Sequence, residues 1–556
     1  MGDRSTVKFA QSSWTVALVG VVTLFGLTAI EFAKRQSVWT DEATQLSGLS
    51  LGFVDQLRWL AGYLPHAFAL PLDRTPPLSY WLGTAWIRAF GNAVLTLRLL
   101  SVSLSVASIL VLFAVAREHL DRRCAFICAA LLALSPNFVI EAAEIRAYAA
   151  FILFSTLLIH CYLRLLAARP APSGWDLWAF ALSATLCSYT HFFGILISVG
   201  AVLCLFACYF LDFLGGSRAA GFRVVRQGAW PMLFCLLSIV ALVPIVLAAV
   251  NISAVGAVGD AVAASPFSVR IHDLIRLVYR LFSHQSMLGI PGLSAAALLA
   301  GLTLIIFAVI PGSNRRAKQL FLFLIVNLTL TAVAGLATHA FKAFTPSYSV
   351  WALPVIALLS ATALNHANRS IRAATVVCIG VIAAADCFGA MRLALEGEIY
   401  GHTRSTVIKT TVGSAGPSNS IVLYLNDAPS IYFALTYYYG NGLRQYVTAQ
   451  NTAHLVGSQI GSASVKLCDL NARTLLLAHD QQLSAEELQF LATHPAAHME
   501  AYQALDDFMA AHRSELAARW TLVSQNEYLA QSALALAVFK SRTTGVSPGF
   551  TNCNTD

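Results

Sequence analysis

Two carboxylates, Asp41 and Glu42, stand side by side in "WTDEATQLSGLS" (39–50), directly after a long apolar run. Such a pair can be a solvated helix end, a proton or ion site, or an acid–base pair acting on a hydroxyl. Four other groupings carry side chains of the same kind. "LDRTPPLSYW" (72–81) holds Asp73 and Arg74 ahead of a Pro-Pro turn, and "SPNFVIEAAEIRAYA" (135–149) holds Glu141, Glu144, Arg146 and Tyr148. "SYTHFFG" (188–194) holds His191, and "HAFKAFTPSY" (339–348) holds His339, Lys342 and Tyr348. Carboxylates supply proton acceptors, and Arg or Lys stabilises negative charge that develops in a reaction. Each group also has a plain alternative. Helix ends carry Asp and Glu as solvated caps, and a histidine between apolar runs commonly packs with a hydrogen bond.

The elements that must position these residues are membrane spans. The chain has 556 residues, 57% of them hydrophobic and only 12% charged, with a mean hydropathy of +0.67. No soluble globular protein needs so much apolar material. Residues 14–33 are long enough to cross a hydrocarbon core of about 30 Å. Further spans are predicted at 94–116, 124–141, 146–167, 176–189, 191–211, 229–250, 293–310, 319–337, 347–364 and 372–390, about eleven helices in all. The first run lacks a small-residue cleavage site and is too long for a signal segment, so it is expected to be retained.

Charge sets the orientation. Arg4 and Lys8 precede the first span, and alternate loops carry Arg117, Arg122 and Arg123; Arg164 and Arg169; Arg218, Arg223 and Arg226; Arg315, Arg316 and Lys318; and Arg369 and Arg372. The short loops of the other side offer only Arg146 and Lys342. The basic side is expected to be cytoplasmic, with the N-terminus inside and, for an odd number of spans, the C-terminus outside. All five chemical groupings then fall at the outer face. Ionisable groups are costly at membrane depth, so their gathering at one surface marks a functional site there. The net charge of +8 belongs to this topology and to anionic lipid. No basic patch interleaved with aromatics points to nucleic acid.

Two outer loops are long, 34–93 and 251–292. "LSYWLGTAWIRAFG" (78–91) and "IHDLIRLVYRLF" (271–282) have apolar faces at helical spacing and suit helices lying in the interface, with Trp81 and Trp86 at headgroup level. Residues 1–390 thus form a transmembrane module, and 391–556 read as a small outer α/β domain. In the latter, "SIVLYLND" (420–427), "RTLLLAHD" (473–480) and "ALALAVFKS" (533–541) are strand-like, while "APSIYFALTYYYG" (428–440) and "SAEELQFLATH" (484–494) are helical. The tail from 541 is expected to be disordered. Nine of eleven cysteines lie in or beside apolar spans and read as packing residues, with Cys124 and Cys128 on one helix face; Cys468 and Cys553 fall in the outer domain, where a disulfide between them is compatible with the compartment.

A first helix followed by "DE", then "DRTPPLSYW", "LRLLS" (97–101), "E-x-R-x-Y" and "YTHFFG" resembles the GT-C superfamily of polytopic membrane glycosyltransferases. More narrowly, it is similar to bacterial members related to protein O-mannosyltransferases and to lipid A aminoarabinose or uronic acid transferases. The resemblance runs over residues 10–390. It implies a donor sugar on a polyprenyl phosphate, transfer with inversion to a glycolipid, glycan or protein acceptor, and a home in a bacterial inner membrane with the C-terminal domain periplasmic. It also implies Asp41 as general base, with Glu144 as a second acid.

Adjacent helical residues point about 100° apart, so Glu42 is left to hold a neighbouring group or the acceptor. Asp73, Arg74, Arg146, Tyr148, His191, Lys342 and Tyr348 are the candidates for holding the donor phosphate and substrate. Arg74 and Arg146 rank first among the outer cations, which also include Arg58, Arg270 and Arg276. Arg98 lies slightly inside its helix, where pairing with an outer-loop acid is expected. Some relatives carry an Arg-Tyr pair near the end of the core; here that place reads "PSYS", with Ser347 before Tyr348 and Lys342 as the substitute cation. No cofactor is required, and a divalent metal beside Asp41 is compatible with the sequence, although no ligand spacing demands one.

Two other classes compete. A transporter or flippase places charge near the bilayer midplane on broken helices, whereas most of these spans have charge-free centres. A polysaccharide polymerase or ligase would share the outer cations but lack the DE and D-x-x-P-P-L segments.

Overall fold

The computed structural model describes residues 4–36, 38, 40–49, 51–64, 75–168, 172–214, 218–255, 277, 279–282, 291–310, 313–337, 346–396, 403–425, 435, 443–449, 452–455, 464–466, 472–482, 500–529 and 532–542. The chain divides into two compact units. One takes in Met1–Lys34, Gly52–Tyr63 and Arg74–Gly397; the other takes in Arg35–Leu51, Leu64–Asp73 and Glu398–Asp556.

The first unit is helical. Among the described residues, eight helices are long and apolar enough to cross a membrane, and a bent pair taken as one span makes a ninth. They follow the predicted spans: α1 (Arg4–Arg35), α5 (Val94–His119), α8 (Tyr148–Ala167), α10 (Phe192–Leu214), α11 and α12 (Arg218–Val240 and Val243–Val255), α13 (Pro291–Val309), α14 (Arg315–Ala337) and α16 (Arg369–Glu396). The bent pair is α6 (Arg122–Leu134) with α7 (Pro136–Ala143). Two predicted spans are shorter helices: α9 (Gly174–Thr190) and α15 (Ala352–Thr362), the latter preceded by a 3-10 turn at Pro346–Ser349. At 17 residues, α9 rises only about 25 Å.

Burial sorts the helices. In α8, 78% of the apolar window is buried, against 22% in α1 and in Gln227–Val250. Helix α8 is therefore central, packing on α5 and α9, while α1 and α11–α12 expose Val16, Val19, Leu24, Leu236, Leu237 and Leu247. Exposed apolar side chains on spans of this length face lipid tails, where a helix satisfies its backbone internally.

Three local features aim the chemical residues. Pro136 cannot donate a backbone hydrogen bond to α6, and Ser135 before it is extended (φ −61°, ψ 120°); the chain turns by 62° into α7. That bend places Glu141 and Glu144 at the end of a separate short helix. Cys124 and Cys128 share one face of α6 and donate to the Ala361 and Ala357 carbonyls of α15, as packing residues do. Arg98, only 2% exposed, donates to the Ala33 carbonyl at 2.8 Å and so caps the end of α1, which suits a cation at a helix C-terminus.

Between the first and second spans lie α2 (Thr40–Leu49), α3 (Phe53–Leu60) and α4 (Leu78–Phe90). The predicted 78–91 helix forms as α4, and Trp86 Nε1 donates to the Thr96 carbonyl at 2.7 Å. Of the predicted 271–282 helix, Leu277 and residues 279–282 are helical, and the rest lies outside the described residues.

The C-terminal part of the second unit holds a seven-stranded sheet in the order β4-β3-β2-β1-β5-β7-β6. Strand β1 (Ser420–Tyr424) runs parallel to β2 (Arg444–Ala449) and β5 (Thr474–Gln482), with Ile421 opposite both Arg444 and Leu475. The outer pairs are antiparallel: β3 (Thr452–Leu455) and β4 (Ser464–Lys466) on one side, β7 (Ser532–Ser541) and β6 (Trp520–Leu529) on the other. Alternation buries Ile421, Leu423, Leu475, Leu477, Ala535, Ala537 and Phe539 on one face under Leu505 of α18 (Glu500–Ala511), where α17 is Thr403–Ala415. The three predicted strands are β1, β5 and β7. Residues 484–494, most of 428–440, the tail beyond 542, Cys468 and Cys553 lie outside the described residues.

Candidate active site

The α7–α8 corner gathers most of the predicted residues. Glu141 lies in the last turn of α7, Glu144 follows it as C-cap, and Arg146 and Tyr148 lead into α8. Both carboxylates are buried, Glu141 at 3% exposure and Glu144 at 5%. Their environments differ. Glu141 accepts a hydrogen bond from the Ser347 hydroxyl and faces the charge of Arg146. Glu144 is fixed through its backbone, whose carbonyl accepts the Ser101 hydroxyl at 2.6 Å. Arg146 is partly exposed, with its guanidinium carbon 6.0 Å from the Tyr148 ring centroid.

Aromatic rings close the corner from three directions. Tyr148 starts α8, His191 separates α9 from α10, and Tyr348 sits in the 3-10 turn at 346–349. Their ring centroids lie 5.7 Å (Tyr148–His191), 5.2 Å (His191–Tyr348) and 6.2 Å (Tyr148–Tyr348) apart. Phe151 stacks on His191 at 5.0 Å, and Phe193 stacks on Tyr348 at 5.3 Å. Such offset and tilted contacts add to plain area burial.

The histidine is oriented by its own backbone. It ends α9 in an extended conformation, and the Phe193 N–H donates to its Nδ1 at 3.2 Å. An Nδ1 that accepts carries no proton, so the neutral ring holds its hydrogen on Nε2 as a donor. Gly194 completes the turn, donating to the His191 carbonyl at 2.8 Å. A Cβ at Gly194 would overlap the Cys187 carbonyl oxygen, so the last residue of "YTHFFG" is a steric requirement.

The "DE" pair lies in the second unit, in the first turn of α2. Negative charge is favourable there, because the helix N-terminus carries partial positive charge. Glu42 is 1% exposed and Asp41 is half-buried, so the neighbours face different surroundings, as their 100° separation requires. A solvated cap does not describe Glu42. Burial of Thr44, Gln45 and Ser47, with Ser47 donating to the Thr44 carbonyl at 2.7 Å, gives α2 a polar interior face.

Asp73, Arg74, His339 and Lys342 lie outside the described residues. Thr75, Pro76 and Pro77, which follow Asp73 and Arg74, are buried. The sequence pointed to Glu141 and Glu144 together, with Glu144 ahead by position, and did not single out Phe151, Phe193 or Ser347. "HFF" was a usable signal for Phe193; nothing local pointed to Ser347. Asp386 was also missed: it is buried in α16 and lines a narrow cleft with Ser135, Phe282 and Leu353.

In chemical terms, the corner offers a cation, a ring N–H donor, two buried carboxylates and a wall of aromatic faces. These suit an anionic group joined to a flat apolar or sugar-like body. Among the described residues, no grouping of three metal-ligating side chains includes Asp41.

Residues 74–248 match the family model described as dolichyl-phosphate-mannose-protein mannosyltransferase. That segment contains Glu141, Glu144, Arg146, Tyr148 and His191. No curated protein sequence matches the chain. Among solved structures, ArnT from Cupriavidus metallidurans in the apo state is similar at 13% identity and a TM-score of 0.53, covering 95% of this chain and 98% of that one. ArnT from the same organism bound to undecaprenyl phosphate is similar at 12% identity and a TM-score of 0.51, covering 94% and 98%. The chain therefore shares its fold with ArnT over nearly its full length.

Proposed function

We propose that this multi-span membrane protein is a glycosyltransferase that moves a sugar from a polyprenyl-phosphate donor to an acceptor hydroxyl with inversion at the anomeric carbon. The observation that carries this is the match of residues 74–248 to a family described by its lipid-phosphate sugar donor, because that stretch holds the buried carboxylates, Arg146, Tyr148 and His191. The full-length fold shared with ArnT, which has been solved with undecaprenyl phosphate, supports the same donor class.

In the proposed reaction the acceptor oxygen attacks the anomeric carbon as the bond from that carbon to the phosphate oxygen breaks. The hydroxyl proton passes to Asp41, and the polyprenyl phosphate leaves with the electron pair. One base suffices, because the phosphate is already an activated leaving group. Arg146 and the Nε2–H of His191 offset the charge that grows on the departing phosphate. Asp73, Arg74 and Lys342 add polar and cationic contacts to the donor, and Tyr148 and Tyr348 supply ring faces. Glu141 orients Arg146, Glu144 assists as a second acid, and Glu42 holds the acceptor side. No step requires a metal. The likeness to ArnT supports a bacterial inner-membrane setting, and the basic loops support a cytoplasmic N-terminus with the C-terminal domain periplasmic. The acceptor is a periplasmic glycolipid, glycan or protein.

Proteoliposomes holding the purified chain, a polyprenyl phosphate carrying a radiolabelled sugar, and envelope acceptors test this. Label should move from the lipid donor into the glycolipid, glycan or protein fraction. Asp41→Asn should lower the turnover by about 10²–10⁴-fold, the usual range for a lost general base. Wild-type turnover in that variant removes Asp41 from the base role, and no transfer from any lipid-phosphate sugar by the wild type removes the activity itself.

A further inference from the structure

A second cluster of reactive side chains lies outside the corner described above. Glu118 and His119 are the last two residues of α5, and His160 lies on α8, twelve residues or about 18 Å along the helix from Tyr148. One ligand atom from each of the three lies within 4.8 Å of the others. His160 Nε2 stands 3.8 Å from a Glu118 carboxylate oxygen, and the two imidazole rings are tilted by 57° with centroids 5.6 Å apart. His119 is only 3% exposed, and its Nε2 has no hydrogen-bond partner among the described residues; the same holds for His160 Nδ1. Buried ring nitrogens without partners are uncommon and call for an explanation.

We propose that Glu118, His119 and His160 form a divalent-cation site of the zinc class, joining the end of α5 to α8. The donor set decides the ion. Two imidazoles and one carboxylate are ligands for zinc, with a fourth position left to water, whereas magnesium and calcium take oxygen. The present spacing closes to a metal shell with small movements. Glu118 sits on the exposed rim, its side chain 49% exposed, and α5 ends at His119. The nearby guanidinium of Arg164 is engaged by Asp176 at 2.9 Å, while the Glu118 carboxylate supplies the negative charge a cation needs. The ion would fasten the central helix α8 to α5 at the end opposite Tyr148, independently of any sugar transfer.

The test uses the full-length chain purified in detergent, stripped with a chelator and titrated with Zn²⁺ against a chromophoric competitor. One equivalent should bind, and Zn²⁺ should raise the melting temperature. Glu118→Gln alters an exposed side chain and should keep the fold while weakening Zn²⁺ at least tenfold. His160→Gln should do the same and should abolish the visible tetrahedral bands of bound Co²⁺. Uptake of no stoichiometric zinc by a folded wild type overturns the site and leaves the three residues as an ordinary histidine–carboxylate contact. Undiminished uptake in the Glu118→Gln/His160→Gln double variant assigns the metal elsewhere and overturns it equally.

Discussion

The imidazole of His191 lies 5.2 Å, centre to centre, from the ring of Tyr348, although 157 positions separate them in the chain. Phe151 stacks on His191 at 5.0 Å, and the Phe193 backbone N–H donates to its Nδ1. His191→Phe keeps the ring contacts and loses the donor on Nε2. Its melting temperature should stay within a few degrees of wild type, since one net hydrogen bond is worth about 1 kcal/mol. Its KM for the polyprenyl-phosphate sugar should rise about tenfold, the equivalent of one charge-assisted hydrogen bond. An unchanged KM in steady-state assays would show that His191 only packs.

The Ser347 hydroxyl holds the Glu141 carboxylate that faces Arg146. Ser347→Ala should therefore lower kcat/KM by about ten- to hundredfold, the loss of one hydrogen bond to a charged group. Glu141→Gln should lower it further. In a double-mutant cycle the two effects should be less than additive, because both act through the same contact. Full additivity would mean that Ser347 and Glu141 do not act together.

Gly194→Ala should cost about 3 kcal/mol, the upper end for overpacking, because the new methyl meets the Cys187 carbonyl rather than a movable side chain. Gly20 in α1 has nothing within 4 Å of its would-be Cβ, so Gly20→Ala is the control and should be neutral or slightly stabilising. Thermal melting in detergent compares the two; equal melting temperatures contradict the steric role.

Asp121 lies between α5 and α6. Its Oδ1 accepts the Cys124 N–H at 2.8 Å, capping α6, and its Oδ2 accepts from Asn365 at 3.0 Å. Burial pushes this carboxyl up, but those hydrogen bonds outweigh burial and hold it below its ordinary value. A carboxylate lowered by folding adds stability above its unfolded pKa, about 3.9, and loses that stability as pH falls through the folded value. Asp121→Ala should thus destabilise by about 1 kcal/mol at neutral pH, as a lost N-cap does. The gap from wild type should shrink below about pH 4. A gap that widens on acidification in pH-dependent melting would contradict the assignment.

Much of this protein was legible as sequence. Hydropathy is a local property: an apolar run of about 20 residues has few alternatives to crossing a bilayer, and of the eleven predicted spans eight appear among the described residues at full spanning length and a ninth as a bent pair. Chain direction alone foretold that Asp41 and Glu42 would face different surroundings, because adjacent helical residues diverge by 100°. Of the segments that the sequence singled out, "E-x-R-x-Y" and "YTHFFG" bring Tyr148 and His191 together. Tertiary structure decided what local spacing cannot encode. It set Ser347 beside Glu141, brought Tyr148, His191 and Tyr348 to one wall, gave Arg98 a helix carbonyl, and set His160 beside Glu118. Each of those outcomes depends on which helices pack together, and packing is selected by the summed fit of many side chains rather than by the few that carry the chemistry.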